Sequence, residues 1–331
     1  MKKVTILALD NAIASSVMGT MDIFCQAGLT WNYFFGKDPV SYFDVEIVTQ
    51  DGEPVTCLNQ VKLYPHRTAL KVKKTDLIIV SSFSDFETLE SNKGIIDWIL
   101  KHHNKGTTIA SICAGAFFLA ETGLLDGKIA TTHWGFAEEF KQRYPQIKLR
   151  PERLISDEGS LLCSGACSSY IDLSMYLIER YCGRKVAMEC SKTMLHDFGR
   201  SSQSPYMVFQ FQKDHGDSQI AEAQKWIETK YKENTNINSL AQNYGMSQRS
   251  FERRFKSATG DTPLFYLQRV RVEAAKRYLE TNNETFNEIT YRVGYEDSSF
   301  FRKVFKKQTG LLPKDYRRKF LAPGNRQISS R

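Results

Sequence analysis

The stretch TTIASICAGAFFLAETGLLDG, residues 107–127, decides how the first half of this chain folds. Its first six residues are β-branched or small and apolar almost throughout, as a central strand covered on both faces requires. Cys113 then interrupts the run, Ala114, Gly115 and Ala116 follow, and a helical pattern begins. A strand that stops in a sharp turn carrying a nucleophile, with small residues behind it for clearance, is an elbow geometry that several hydrolase folds use. A thiol at a helix N-terminus also feels a dipole that favours its anion, so a lowered Cys113 pKa is expected. A base should lie nearby, and IATTHWGF (129–136) offers His133.

Outward from this elbow, VTILAL (4–9), FDVEIVTQ (43–50), DLIIVSS (76–82) and SLLCSG (160–165) read as further strands. GIIDWILKHHN (94–104) and CSSYIDLSMYLIERYC (167–182) place apolar residues at helical spacing. This alternation over the first 190 or so residues predicts an α/β sheet with crossover helices. FGRSSQSPYMVFQFQKDHGDS (198–218) loses all period and is rich in Ser, Gln and Gly, which predicts a linker. Everything after it reads as helix.

The 331 residues suit two domains. No apolar run approaches the roughly 18 residues that a membrane span needs, and Asp10 cuts short the apolar part of MKKVTILALD, which reads as a first strand rather than a leader. Seven irregularly spaced cysteines without a CxxC pair suit neither a disulfide framework nor a zinc site. The expectation is a cytoplasmic protein off the membrane, with no metal and no cofactor. His102 and His103 are adjacent, so they point to different faces of a helix and read as exposed surface. Cys163 and Cys167 straddle SGA, which reads as a strand-to-helix turn, and they read as packing. From Asp217 onward the chain carries 22 lysines and arginines against 13 acids, whereas the first 216 residues carry 23 against 24. That asymmetry points to a polyanion-binding module joined to a neutral one.

The basic third contains an internal repeat. LAQNYGMSQRSFERRFKSATGDTP (240–263) aligns with ITYRVGYEDSSFFRKVFKKQTGLLP (289–313), matching Gly245 to Gly294, Phe251 to Phe301, Phe255 to Phe305, and Thr259, Gly260 and Pro263 to Thr309, Gly310 and Pro313. The offset grows from 49 to 50 after the glycines, so the second turn holds one extra residue. Each copy reads as a short helix, a turn glycine, an N-capping Ser or Asp and a second helix whose phenylalanines, four apart, face a core. That is a helix-turn-helix, twice. The outward positions of the second helices are Gln248, Arg249, Glu252 and Arg253 in one copy, and Ser298, Ser299, Arg302 and Lys303 in the other. These residue types suit contact with base edges and phosphates of double-stranded DNA. LFYLQRVRVEAAKRYLETNN (264–283) reads as one helix holding the two modules about one DNA turn apart, roughly 34 Å.

Residues 219–320, including GYEDSSFFRKVFKKQTGLLPKDYR, resemble the DNA-binding domain of the AraC/XylS family of bacterial transcription regulators. Residues 1–195 are similar to the PfpI/ThiJ family of the class I glutamine amidotransferase-like fold. ASICAGAFFLAETGLLDGKIATTHW followed by CSGACSSYIDLSMYLIE is particularly similar to its GlxA-like subgroup. The resemblance implies a flavodoxin-like α/β sandwich, 1–197, then a linker, 198–218, an all-α double helix-turn-helix domain, 219–320, and a flexible tail, 321–331. It also implies Cys113 at the nucleophile position and His133 as its partner. Ser16 stands where the enzymes of the family carry an acid, the nearest acids being Asp10 and Asp22, so no catalytic residue is expected. Cys113 has three open readings: a packed elbow side chain, a non-catalytic effector pocket formed by Ser16, Cys113, Ala114 and His133, or a surviving hydrolase, glyoxalase-like or redox-reactive thiol. The leading expectation is a homodimeric regulator that binds promoter DNA, responds to a small-molecule effector and has RNA polymerase as a further partner. The alternatives are a PfpI/ThiJ-type enzyme with a DNA-binding tail, and an architectural protein that grips DNA without sequence preference.

Overall fold

A computed structural model describes residues 1–209, 213 and 215–321. The chain divides into two compact units between Gln203 and Ser204, within the stretch expected to be a linker. Ser202 pairs with Arg153, and Gln203 is buried, its Nε2 donating to the carbonyls of Thr132 and Pro151 at 2.9 Å, so both belong to the first unit. The expected tail lies outside the described residues beyond Leu321.

The first unit is built on a seven-stranded sheet: β1 (Lys2–Leu7), β2 (Phe43–Thr49), β3 (Arg67–Thr68), β4 (Leu77–Val80), β5 (Thr108–Ile112), β6 (Ile155–Asp157) and β7 (Leu161–Ser164). Their order is β6-β7-β5-β4-β1-β2-β3, and every neighbouring pair is parallel except β6 with β7. The apolar strands are buried on both faces with a period of two. Leu77, Ile79, Ala110, Ile112 and Leu162 pack on one side with α1 (Ala14–Gln26), and Ile78, Val80, Ile109, Leu161 and Cys163 on the other with α2 (Gly94–His103) and α3 (Ala116–Glu121). The first face is completed by α4 (Tyr170–Cys182) and α5 (Arg184–Thr193). This is the α/β sheet with crossover helices that the strand pattern predicts, in the flavodoxin-like form that the family resemblance implies.

His102 departs from its reading as exposed surface. It is buried, with Nε2 3.1 Å from the Val72 carbonyl and its ring beside Trp98. His102 continues the buried stripe of Ile95, Trp98 and Ile99 at helical spacing, whereas His103 is turned about 100° away from it.

The second unit is helical: α6 (Ser218–Lys230), α7 (Ile237–Asn243), α8 (Gln248–Thr259), α9 (Pro263–Thr281), α10 (Phe286–Arg292), α11 (Ser298–Thr309) and α12 (Pro313–Phe320). Phe251 and Phe255 of α8 are buried with Ile220, Ile227, Leu240 and Tyr266. Phe301 and Phe305 of α11 are buried with Val272, Leu279, Ile289, Val293 and Tyr316. The 19 residues of α9 thread both cores, and at 1.5 Å per residue they span about 28 Å. Ser247 and Asp297 cap α8 and α11, and Gly260 and Gly310 end them in the left-handed conformation that glycine adopts without penalty. One residue separates Gly245 from its cap and two separate Gly294 from its own, which accounts for the extra residue in the second copy.

Candidate functional site

At the C-terminal ends of the central strands, β5 stops at Ile112 and the backbone turns through Cys113 at φ 56°. A non-glycine residue in this region is strained and is held there by its surroundings. Gly115 supplies the clearance, since a Cβ on it would come within 2.7 Å of the Val80 carbonyl oxygen. The Thr132 hydroxyl donates to the Cys113 carbonyl at 2.9 Å. Cys113 and Ala114 are each only 1% exposed. Ser16 is fully buried and already engaged: its Oγ donates to the Ile13 carbonyl at 2.8 Å and accepts from Ser82 N at 3.3 Å.

The partner of Cys113 is a residue that the sequence reading assigned to packing. Cys167 Sγ lies 3.4 Å from Cys113 Sγ, and 3.7 Å from Ser82 Oγ. Nothing in the spacing of residues 113 and 167 signals this. The sheet does, because β5 and β7 are parallel neighbours with Ile112 opposite Ser164, so the turns that follow them emerge side by side.

The expected lowering of the Cys113 pKa is reversed. Its hydrogen bond with Cys167, together with burial, raises it well above the ordinary thiol value. The turn that follows is 3₁₀ over Cys113–Gly115 and α3 has only six residues, a weak dipole to set against burial. Cys167 is the more acidic of the two, brought down to about 6 by the hydrogen bond from Cys113.

No hydrogen bond joins His133 to Cys113 among the described residues. Its Nδ1 accepts from Gly135 N at 3.0 Å, capping a short turn, and its ring packs beside Trp134 and Phe136. Burial lowers its pKa, so the ring is neutral near pH 7. Asp10 accepts from Thr56 N, and Asp22 is exposed on α1. The geometry therefore holds a thiol pair and a neutral imidazole, and among the described residues no carboxylate is hydrogen-bonded to either.

On the second unit, Gln248, Arg249 and Arg253 are exposed on α8 and Glu252 is half-buried, accepting from Gln248 Nε2 at 2.8 Å. On α11, Ser299, Arg302 and Lys303 are exposed and Ser298 is half-buried, with the Arg302 guanidinium 5.6 Å from the Phe286 ring centre. The next arginine of α8, Arg254, is committed elsewhere, its Nε 2.5 Å from the Asp217 carboxylate that caps α6. Phe300 (49% exposed) and Tyr291 (65% exposed) also stand out beside the α11 face. The FF doublet conceals Phe300, because helical periodicity assigns only one of the two rings to the core.

A flavodoxin-like sheet with a cysteine elbow, followed in the same chain by two helix-turn-helix cores with basic outer faces, defines a DNA-binding transcription regulator. Residues 2–180 match the DJ-1/PfpI family and residues 240–319 a helix-turn-helix domain. The chain belongs to the DJ-1/PfpI family. It is 27% identical over 274 residues to the HTH-type transcriptional regulator CdhR of Pseudomonas aeruginosa, covering 81% of this chain and 79% of that one. It is 28% identical over 217 residues to the HTH-type transcriptional regulator GlxA of Rhizobium meliloti, covering 65% and 66%. The crystal structure of an AraC family transcriptional regulator from Pseudomonas putida superposes with a TM-score of 0.51 at 19% identity, covering 59% of this chain and all of that one, a likeness of fold. The AraC-type and GlxA-like resemblances are thus borne out. No helix among the described residues is long and apolar enough to cross a membrane.

Proposed function

We propose that this regulator acts in the cytoplasm as a homodimer on promoter DNA. Gln248, Arg249, Glu252 and Arg253 read one major groove and Ser298, Ser299, Arg302 and Lys303 read the next. The observation that carries this reading is the shared register of α8 and α11: in both, phenylalanines at the same positions are buried and the outward positions carry basic and hydrogen-bonding groups. A helix pair joined by α9, at about 28 Å, suits successive grooves. RNA polymerase is the further partner in this reading, whichever the sign of regulation.

The first domain senses a small-molecule effector without catalysis. Open α/β sheets take ligands at the C-terminal ends of their strands, and this reading assigns the effector to Ser16, Cys113, Ala114 and His133, of which the first three are buried and His133 is half-buried. The engagement of His133 Nδ1 by Gly135 N, which turns it to capping its own loop, supports a sensor over a hydrolase or glyoxalase-like enzyme. Exposed Tyr33, Phe34 and Phe35 offer an apolar surface of the kind that a second copy covers.

Footprinting of the full-length protein on its own upstream region tests the DNA reading. Two protected major-groove patches about one turn apart, roughly 34 Å, are expected for each subunit. Equal competition by random DNA would leave an architectural protein instead. A thermal-shift screen against amino acids, amines, betaines and small carbonyl compounds tests the sensor: a shift without consumption of the ligand supports it, and turnover abolished by Cys113→Ser would return the site to the enzymes.

A further inference from the structure

Cys113 and Cys167 stand 54 residues apart in sequence with their sulfurs 3.4 Å apart. The two thiols are unequal. Cys113 is sealed in the elbow with its backbone fixed by the strained turn and by the Thr132 hydroxyl on its carbonyl. Cys167 opens the turn Cys167–Ser169 before α4, is partly exposed and has the Ser82 hydroxyl 3.7 Å from its sulfur. A disulfide needs sulfurs at about 2.05 Å, so closure asks for a combined movement of roughly 1.4 Å, within reach of side-chain rotation and a small shift of the Cys167 turn. Of the other cysteines, Cys163 is enclosed in β7 and Cys25 is exposed on α1.

We propose that Cys113 and Cys167 form a dithiol that a hydroperoxide converts into an intramolecular disulfide. The Cys167 thiolate attacks one peroxide oxygen, the O–O bond breaks, and the alcohol or water leaves with one proton, giving a sulfenic acid on Cys167. Cys113 Sγ then attacks that sulfur. Its proton joins the departing hydroxide, the S–O bond breaks, the S–S bond forms, and water leaves. Two thiols and one hydroperoxide thus become one disulfide, one alcohol (or water) and one water, each sulfur losing one electron and the peroxide gaining two. The order of attack follows from access, since solvent reaches Cys167, the more acidic thiol, before it reaches Cys113.

Closure pulls the Cys167 turn toward the elbow and away from Ser82, whose backbone N–H is anchored on Ser16. It also strains the elbow peptide that Thr132, the neighbour of His133, holds by its carbonyl. Oxidation therefore reshapes the strand-end rim whether or not an effector binds there, and the dithiol stands independently of the sensor reading.

The test is hydrogen peroxide titration of the reduced full-length protein, followed by alkylation, digestion and mass spectrometry. The expected result is the loss of two alkylatable thiols, one linked peptide pair carrying Cys113 and Cys167, and full recovery of both thiols with dithiothreitol. In Cys113→Ala the sulfenic acid is stranded, and a dimedone adduct should appear on Cys167. Circular dichroism of Cys113→Ala and Cys167→Ser separates failure to fold from loss of chemistry, and Cys25→Ser should still form the linked pair. Oxidation confined to Cys25, or no linked Cys113–Cys167 peptide from folded wild-type protein under excess peroxide, would overturn the proposal.

Discussion

Gly115 sits beneath the carbonyl of Val80 so closely that a Cβ built on it would be 2.7 Å from that oxygen and 2.8 Å from the carbonyl oxygen of Ser81. Both neighbours are backbone of β4 and its exit, which cannot swing aside as a side chain would. The elbow therefore depends on contact distance here rather than on an unusual torsion, since φ at Gly115 is an ordinary −54°. Gly115→Ala should destabilise the first domain by about 1–3 kcal/mol, the usual cost of overpacking. Thermal unfolding of the full chain measures it, and an unchanged melting temperature would show that the elbow relaxes freely.

The first domain should also lose stability as pH falls below about 6.5. Burial lowers the pKa of His102, so the folded chain holds its imidazole neutral more tightly than the unfolded chain does. Protons bind better to the unfolded state in this window, and stability that is complete above about 6.5 declines toward lower pH. His133 contributes in the same direction. Melting temperatures from pH 8 to pH 5 at constant ionic strength should fall, and His102→Gln, which keeps an amide for the Val72 carbonyl, should flatten the slope in part. An equal slope in the variant would remove His102 from the account.

How much of this was legible in the sequence depends on how locally each feature is encoded. The long central strands and the helices around Trp98 and Leu177 carry their own periodicity, and the phenylalanine register of α8 and α11 is written twice. The edge strands Arg67–Thr68 and Ile155–Asp157 are too short to alternate visibly. The Cys113–Cys167 contact required the order of β5 and β7 in the sheet, a long-range property that no local pattern holds. The pairing of Cys113 with His133 was suggested by order along the chain, whereas His133 Nδ1 in fact closes its own turn on Gly135.

In the second unit, Arg271 is a buried cation whose removal should be costly. Its Nε donates to the Tyr231 carbonyl at 2.7 Å, a terminal nitrogen donates to the Glu233 carbonyl at 2.9 Å, and the guanidinium lies 4.8 Å from the Tyr295 ring centre. It thereby ties α9 to the segment after α6 and to the turn of the second copy. Arg271→Ala leaves the carbonyl of half-buried Tyr231 without its donor, a loss of about 1–3 kcal/mol, whereas Glu233 is exposed and its carbonyl adds less. Chemical denaturation should show a loss of roughly 1–3 kcal/mol for the helical unit on that basis, with Arg271→Lys intermediate because one ammonium cannot span both carbonyls. A loss under about 0.5 kcal/mol, the level of an ordinary surface change, would mean that water replaces the guanidinium.

Asp297 caps α11 with one carboxylate oxygen accepting from Ser299 N at 2.8 Å and Phe300 N at 3.0 Å. Asp297→Ala should cost about 0.5–2 kcal/mol, and Asp297→Ser should recover most of it. Ser247 makes a single, longer bond to Ser250 N at 3.3 Å, so Ser247→Ala should cost less than Asp297→Ala. Helix content followed through thermal denaturation compares the three, and an inverted order would show that the charge of Asp297 works against its capping geometry.

The two proposed reading faces differ in a way that separates their expected contributions to DNA binding. In α8 the Gln248 amide is oriented by Glu252, and Arg249 and Arg253 flank an acid, an arrangement suited to selecting among bases and repelling misplaced phosphates. In α11 the face is Ser298, Ser299, Arg302 and Lys303 without an acid, and Lys306 and Lys307 follow it exposed, a composition suited to gripping phosphate. Lys303→Ala should then weaken binding to all sequences alike and reduce the slope of log affinity against log salt by about 0.9, one phosphate contact. Arg253→Ala should cost about 1–3 kcal/mol on the operator and much less on random DNA. Fluorescence anisotropy over a range of salt concentrations distinguishes the two. If Arg253→Ala lowers the salt slope as Lys303→Ala does and leaves discrimination intact, α8 grips the backbone, and base selection belongs to other residues of the helix pair.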